Sequence, residues 1–187
     1  MRAPALNKDS SCGRIGVEAH NRVGVGGVLV VVRTVDDGVI ERLFDVYAES
    51  MADLSCDFSS EEEMRLSYRE FLEDFVSDDC QLVLVEEDAG TWKSALRAVP
   101  CGDGRWFVEA VETDPGARRK GYGRLLLLHA ADHLRTLGAR EVTCCISESN
   151  AASRRLHESC GFVATGEDPI NPWGELEEGC LLYRLEL

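Results

Sequence analysis

The sequence predicts an α/β fold, a mixed β-sheet with helices on its faces, in the order β-α-α-β-β-β-α-β-α-β-β over residues 28–187. Two observations predict it. Short β-branched or apolar runs alternate with segments of helical periodicity. Two strand-to-helix units then follow each other, at 105–137 and 141–160, each closed by turn residues. The chain has 187 residues, 44% of them apolar, enough for one domain with a substantial core.

Residues 1–27 read as a disordered tail preceding a domain at 28–187. The tail mixes Asn7, Asp9, Ser10, Ser11 and Gly13 and runs into Gly24, Gly26 and Gly27 without periodicity. "VLVVVRTV" (28–35) is a β-branched run and reads as a strand. Asp36 and Asp37 cap a helix with Val39, Ile40, Leu43, Val46 and Tyr47 at helical spacing. A second helix starts near Ser59 and Ser60. Its first turn holds Glu61, Glu62 and Glu63, which the helix dipole favours. "QLVLVEED" (81–88) and "TWKSALRAV" (91–99) read as a hairpin turned at Ala89–Gly90, and 100–104 as a second turn. "RWFVEAVET" (105–113) is the next strand. Simple alternation puts Glu109, Val111 and Thr113 on one face and Ala110 and Glu112 on the other. Helix 121–137 follows with Gly138 as its C-cap, then strand 141–147, helix 150–160 and strands near 162–166 and 180–187.

Composition narrows the function. A net charge of −14 argues against general affinity for nucleic acid or acidic membranes and leaves room for a cationic substrate. No apolar run approaches the roughly 20 residues of a membrane span, and the N-terminus lacks a signal pattern. A cytoplasmic protein is expected. The eight cysteines do not form a metal pattern. Adjacent Cys144 and Cys145 point to opposite faces of a strand, and His157 with Cys160 makes only two ligands. Reduced cysteines and no metal are expected.

The segment "DPGARRKGYGRLLLL" (114–128) is the most informative. Gly121 and Gly123 allow backbone conformations and a close approach that a Cβ would obstruct. They open an apolar helix whose first amides and dipole suit a pyrophosphate. Arg118, Arg119, Lys120 and Arg124 add four positive charges with no acid between them. A P-loop would need Lys-Ser/Thr after Gly121, and a dinucleotide fingerprint a glycine at 126, where Leu126 stands.

With these residues in place, the sequence resembles the GCN5-related N-acetyltransferase (GNAT) superfamily. "RRKGYG" (118–123) resembles its Arg/Gln-x-x-Gly-x-Gly/Ala signature. "VEAVETDP" (108–115) resembles the preceding strand, and "NAASRRLHESCGF" (150–162) the next cofactor-side helix. The resemblance implies a GNAT fold with a splayed central strand pair and acetyl-CoA as cosubstrate. It implies cofactor contacts at Val111, Glu112, Thr113, Arg118, Arg119, Lys120, Gly121, Tyr122, Gly123, Arg124, Asn150 and Ser153. Glu109 occupies the position that some relatives use for a general base, with Glu112 the second choice; a carboxylate merely paired with an arginine is the competing reading. His157 stands where many relatives carry a tyrosine that protonates the leaving thiolate, so it is either that acid or a packed helix residue. Asn150 is also a good N-cap on its own chemistry. His129 and His133 read as structural. The loop 165–179, where Trp173 sits with Asp168, Glu175, Glu177 and Glu178, either borders a cationic acceptor or is an exposed acidic tip.

The implied activity is transfer of an acetyl group to a primary amine of a small molecule or amino acid, by direct attack in a ternary complex, in a monomer or homodimer. A CoA-binding regulatory module without turnover, and a protein N-terminal or lysine acetyltransferase, are the alternatives.

Overall fold

The computed structural model describes residues 27–78 and 80–187. The expected tail, Gly27 apart, lies outside the described residues. The elements are β1 (Val28–Val32), α1 (Asp37–Val46), α2 (Ala48–Leu54), α3 (Glu61–Ser77), β2 (Leu82–Asp88), β3 (Thr91–Gly102), β4 (Arg105–Thr113), α4 (Tyr122–Thr136), β5 (Glu141–Ser147), α5 (Ala151–Ser159), β6 (Val163–Ala164) and β7 (Cys180–Glu186). The strands form one sheet in the order β1-β2-β3-β4-β5-β7-β6. All neighbours run antiparallel except β4 and β5. The expected mixed sheet with helices on its faces is what the structure shows. Among the described residues no helix is long and apolar enough to cross a membrane.

The helix starts follow capping chemistry. Asp36 Oδ1 accepts the Val39 amide at 2.8 Å and Ser60 Oγ the Glu63 amide at 3.1 Å. Glu63 reaches back to the Ser59 amide at 2.8 Å, which fixes the entry to α3. One core lies between the sheet and α4 with α5, around Leu84, Leu96, Leu126 and Leu134. The other lies under α1 and α3, around Leu43, Val46, Leu72 and Val85. Each fully buried leucine contributes about 1.5–3 kcal/mol.

Three features differ from the sequence expectation. Helix α2 was not foreseen, because Met51 is its only buried residue and no apolar stripe marks it. The second hairpin turns at Asp103–Gly104, with φ of 52° and 73°, and not over 100–104. Pro100 remains in β3 beside a register irregularity, where its missing N–H is tolerated.

The third difference decides the site. Arg97 pairs with Glu109 and Ala95 with Glu112, so β4 carries one more residue than β3 across that stretch. Ala110, at φ 50°, is the bulge. A bulge reverses the side-chain alternation beyond it. Glu109 and Glu112 therefore share the α1–α3 face, which corrects the expectation that they point opposite ways. Their contacts agree: Glu109 meets Arg97, which lies over the Phe71 and Phe75 rings of α3, and Glu112 accepts the Ser50 hydroxyl of α2.

Candidate active site

Strands β4 and β5 pair only at Arg105–Glu141, Trp106–Val142 and Phe107–Thr143. Past that point β4 continues to Thr113 and β5 to Ser147 without pairing to each other. The sheet is thus open at its centre, with backbone amides and carbonyls of two strand edges facing a cleft. An extended amide-bearing chain can bond such an edge as a strand would.

Helix α4 begins at the mouth of this cleft. Its N-cap is Gly121, left-handed at φ 90° and ψ −1°, and no side chain caps the first turn. In contrast α1, α3 and α5 are capped by Asp36, Ser60 and Asn150. The leading amides of α4 thus remain available to an anion. The two glycines serve different needs. A Cβ on Gly121 would meet nothing within 4 Å, so its glycine answers to backbone conformation alone. A Cβ on Gly123 would lie 3.1 Å from Thr113 Oγ1 and 3.2 Å from Leu156 Cδ2, so its glycine lets α4 wedge between β4 and α5.

The loop before α4 is held from within. Asp114 Oδ1 accepts the Gly116 amide at 2.8 Å, Arg118 Nε donates to the Thr113 carbonyl at 3.2 Å, and Lys120 Nζ to the Gly116 carbonyl at 2.8 Å. Arg119 is left-handed at φ 58°, a strained setting for a residue with a Cβ. The four basic residues divide. Arg118 is taken by Glu49 at 2.5 Å and lies 3.6 Å from Glu112, whereas Arg119 and Arg124 are exposed and have no acidic partner among the described residues. Tyr122 packs as a brace: its hydroxyl donates to Asp88 at 2.5 Å, and its carbonyl accepts from the buried Ser94 at 3.2 Å. Val111, past the bulge, packs against the α4–α5 core.

On the α1–α3 side, Arg97 Nε donates to Glu109 Oε1 at 2.7 Å. Burial works to lower the Arg97 pKa, and Glu109, Tyr47 and Tyr68 more than offset it, so the guanidinium is held above its ordinary value. Neither Arg97 nor Tyr47 stood out in the sequence. The available signal was Arg97 itself, a single cation inside the apolar run "SALRAV" (94–99).

Across the cleft, α5 places the other expected residues. Asn150 Oδ1 accepts the Ser153 amide at 3.0 Å, which makes it the N-cap. His157 is 2% exposed and packs edge-on against Phe162. Its Nδ1 lies 2.8 Å from the Ser153 carbonyl, and since a carbonyl only accepts, the proton sits on Nδ1. Nε2 is buried with no hydrogen-bond partner among the described residues. Burial pulls the imidazole below its ordinary pKa, partly offset by the Ser153 carbonyl. His157 is therefore a neutral ring that presents a lone pair. In loop 165–179, Asn171 is the organiser that sequence reasoning passed over. It is 7% exposed, donates to Glu175 at 3.2 Å and Glu177 at 2.8 Å, and accepts the Trp173 and Glu175 amides at 3.0 Å.

Outside the cleft, His129 Nδ1 lies 2.8 Å from Glu86, tying α4 to β2. Among the described residues no group of three or more His, Cys, Asp or Glu side chains is placed to hold a metal ion.

Residues 48–162, more than half of the chain, match the acetyltransferase (GNAT) family. The chain is 36% identical over 75 residues to a streptothricin acetyltransferase of Streptomyces lavendulae, covering 40% of each protein. It is 36% identical over 96 residues to an L-methionine sulfoximine/L-methionine sulfone acetyltransferase of Salmonella typhimurium, covering 50% of this chain and 52% of the relative. The matched stretch thus spans about half the length of these relatives or less. The fold is similar to that of the PaiA N-acetyltransferase from Thermoplasma acidophilum, solved with coenzyme A. The TM-score is 0.63 at 16% identity, over 85% of this chain and 99% of that one.

Proposed function

Because this chain belongs to the acetyltransferase (GNAT) family, we propose that it transfers an acetyl group from acetyl-CoA to a primary amine of a small molecule or amino acid. The reaction proceeds by direct attack in a ternary complex. The observation that carries this reading is the open β4–β5 cleft leading onto the uncapped start of α4. The cleft suits the pantetheine arm, and the α4 amides with Arg119 and Arg124 suit the phosphates. Val111, Glu112 and Thr113 lie on the cleft strand, Arg118 and Lys120 shape the loop, and Gly121, Tyr122 and Gly123 place its amides. Asn150 and Ser153 start the helix on the opposite side.

Acetyl-CoA supplies an activated thioester. The chain must receive the amine, see it deprotonated, and hold it against that carbonyl. Glu109 and Glu112, brought to one face by the bulge, are the groups for proton removal, directly or through water. Glu109 is the first choice and Glu112 the second. An acyl intermediate on Cys101, Cys144, Cys145, Cys160 or Cys180 is disfavoured, because burial pushes each of these thiols up, Cys145 to about 11. Small acceptors are favoured by the similarity to acetyltransferases of streptothricin and of L-methionine sulfoximine and sulfone. The unbridged cysteines fit a reducing, cytoplasmic setting. Intact-mass spectrometry during turnover tests the direct route. The protein mass stays constant while the amine gains one acetyl group; a protein species heavier by one acetyl group that decays on adding amine would contradict it.

One observation favours a second reading, a CoA-binding module without turnover. His157 has its proton committed to Ser153 and resists a second one, so it is poorly set to protonate a leaving thiolate.

A further inference from the structure

Tyr47 lies at the break between α1 and α2 and is 4% exposed. Its ring belongs to the α1–α3 core. Its hydroxyl oxygen is buried and has no hydrogen-bond partner among the described residues. Buried polar groups are nearly always bonded, so a lone hydroxyl requires a reason. The charged and polar groups that act on it are Arg97 of β3, Glu109 and Glu112 of β4, and Tyr68 of α3. Burial pushes its pKa far above the ordinary tyrosine range, so the hydroxyl stays protonated and neutral. Helix α2 covers this region through Ser50 to Glu112 and Glu49 to Arg118, both at 2.5 Å. The Glu49–Arg118 pair is 61% and 39% exposed, and such surface pairs exchange readily with water and salt. Met51 is the one α2 side chain buried in the α1–α3 core, so lifting the cover withdraws that contact and leaves the α4–α5 core untouched.

We infer that the Tyr47 hydroxyl binds the acceptor, taking an N–H of a protonated primary amine that enters beneath α2 beside Glu109 and Glu112. The unbonded hydroxyl is then a binding group waiting for its partner. Its neighbours explain the choice of a cation. Glu112 lies on its face of the sheet, while Glu109 and the nearby guanidinium of Arg97 neutralise each other. This inference rests on the N-acetyltransferase reading above.

The test is Tyr47→Phe, which keeps the ring and removes only the hydroxyl. Three quantities are compared with wild type: the Tm without ligand, the Tm shift caused by acetyl-CoA, and kcat/KM for the fastest of n-butylamine, spermidine and L-methionine. The expected result is an equal or higher Tm, since an unpartnered buried hydroxyl has been removed. The acetyl-CoA shift stays unchanged, and kcat/KM for the amine falls about tenfold or more, the effect of one hydrogen bond to a charged group. A Tm lower by several degrees would show that the hydroxyl is already bonded in the free protein, and would overturn the inference. Unchanged amine kinetics, or a lost acetyl-CoA shift, would overturn it as well. Wild-type protein that releases no CoA with these three or with any polyamine, amino acid, aminoglycoside or peptide fails at the earlier step, ending the transferase reading and this inference together.

Discussion

Replacing Gly121 with alanine separates the pyrophosphate turn from the rest of the fold. Gly121 sits at φ 90°, and its new Cβ would find open space within 4 Å. The penalty is therefore conformational, about 1–2 kcal/mol for a residue with a Cβ held left-handed. For a chain of this size that lowers Tm by roughly 2–8 °C if the turn keeps its shape. If the turn relaxes instead, Tm is spared and the leading α4 amides lose their aim. In wild type, acetyl-CoA at about 100 times its Kd should add about 2.7 kcal/mol, or roughly 5–11 °C. A tenfold loss of affinity would about halve that shift at the same concentration. We expect at least that loss, read by thermal denaturation across an acetyl-CoA titration. Gly123 behaves differently. Alanine there asks Thr113 and Leu156 to yield by tenths of an ångström, and a larger residue collides with both, so its first effect is a lower Tm without ligand. Gly121→Ala with wild-type Tm and a wild-type acetyl-CoA shift would refute the assignment of the turn.

Three further outcomes follow from the site. Glu109→Gln and Glu112→Gln, measured by steady-state kinetics, should each leave acetyl-CoA affinity nearly unchanged. The variant that removes the base should lose about 10²–10⁴-fold in kcat/KM, together with the acidic limb of the pH profile. A few-fold loss would make that carboxylate a positioning group. Tyr122→Phe releases the brace to Asp88 and should raise the KM for acetyl-CoA several-fold with kcat unchanged; a fall in kcat alone would contradict a positioning role. His157 carries a pH signature. Its folded pKa is lowered by burial, so its contribution to stability is fully present above about 6.5, the ordinary imidazole value, and is lost as pH falls through the folded pKa. Denaturant midpoints should therefore decline below about pH 6.5 in wild type, and His157→Phe should flatten that slope; identical slopes would show that the ring is not buried neutral.

The proposed cofactor side of the molecule was legible as local structure because its residues are constrained by backbone. Gly121 must be left-handed, Gly123 must lack a Cβ, and Asn150 must cap a helix, and each demand selects a residue type. The proposed acceptor side was not, because its arrangement is tertiary. The bulge at Ala110 carries no glycine to mark it, yet it moves Glu112 onto the face of Glu109. Tyr47 reads as one more apolar position of α1, and only packing shows that its hydroxyl is stranded. Helix α2 has no apolar stripe and is docked by Glu49 and Ser50, which sequence periodicity cannot see.

The measurement that tests the central claim most directly is amine-dependent release of CoA thiol from acetyl-CoA, screened across polyamines, amino acids, aminoglycosides and peptides. Product masses should be recorded for every acceptor that responds. The account predicts release with at least one small primary amine, one acetyl group gained per thiol freed, and a rate in Gly121→Ala lowered about fivefold or more at acetyl-CoA concentrations near the wild-type KM. Protein that is stabilised by acetyl-CoA yet frees no thiol with any amine would contradict it, and would leave a CoA-binding module in place of an enzyme.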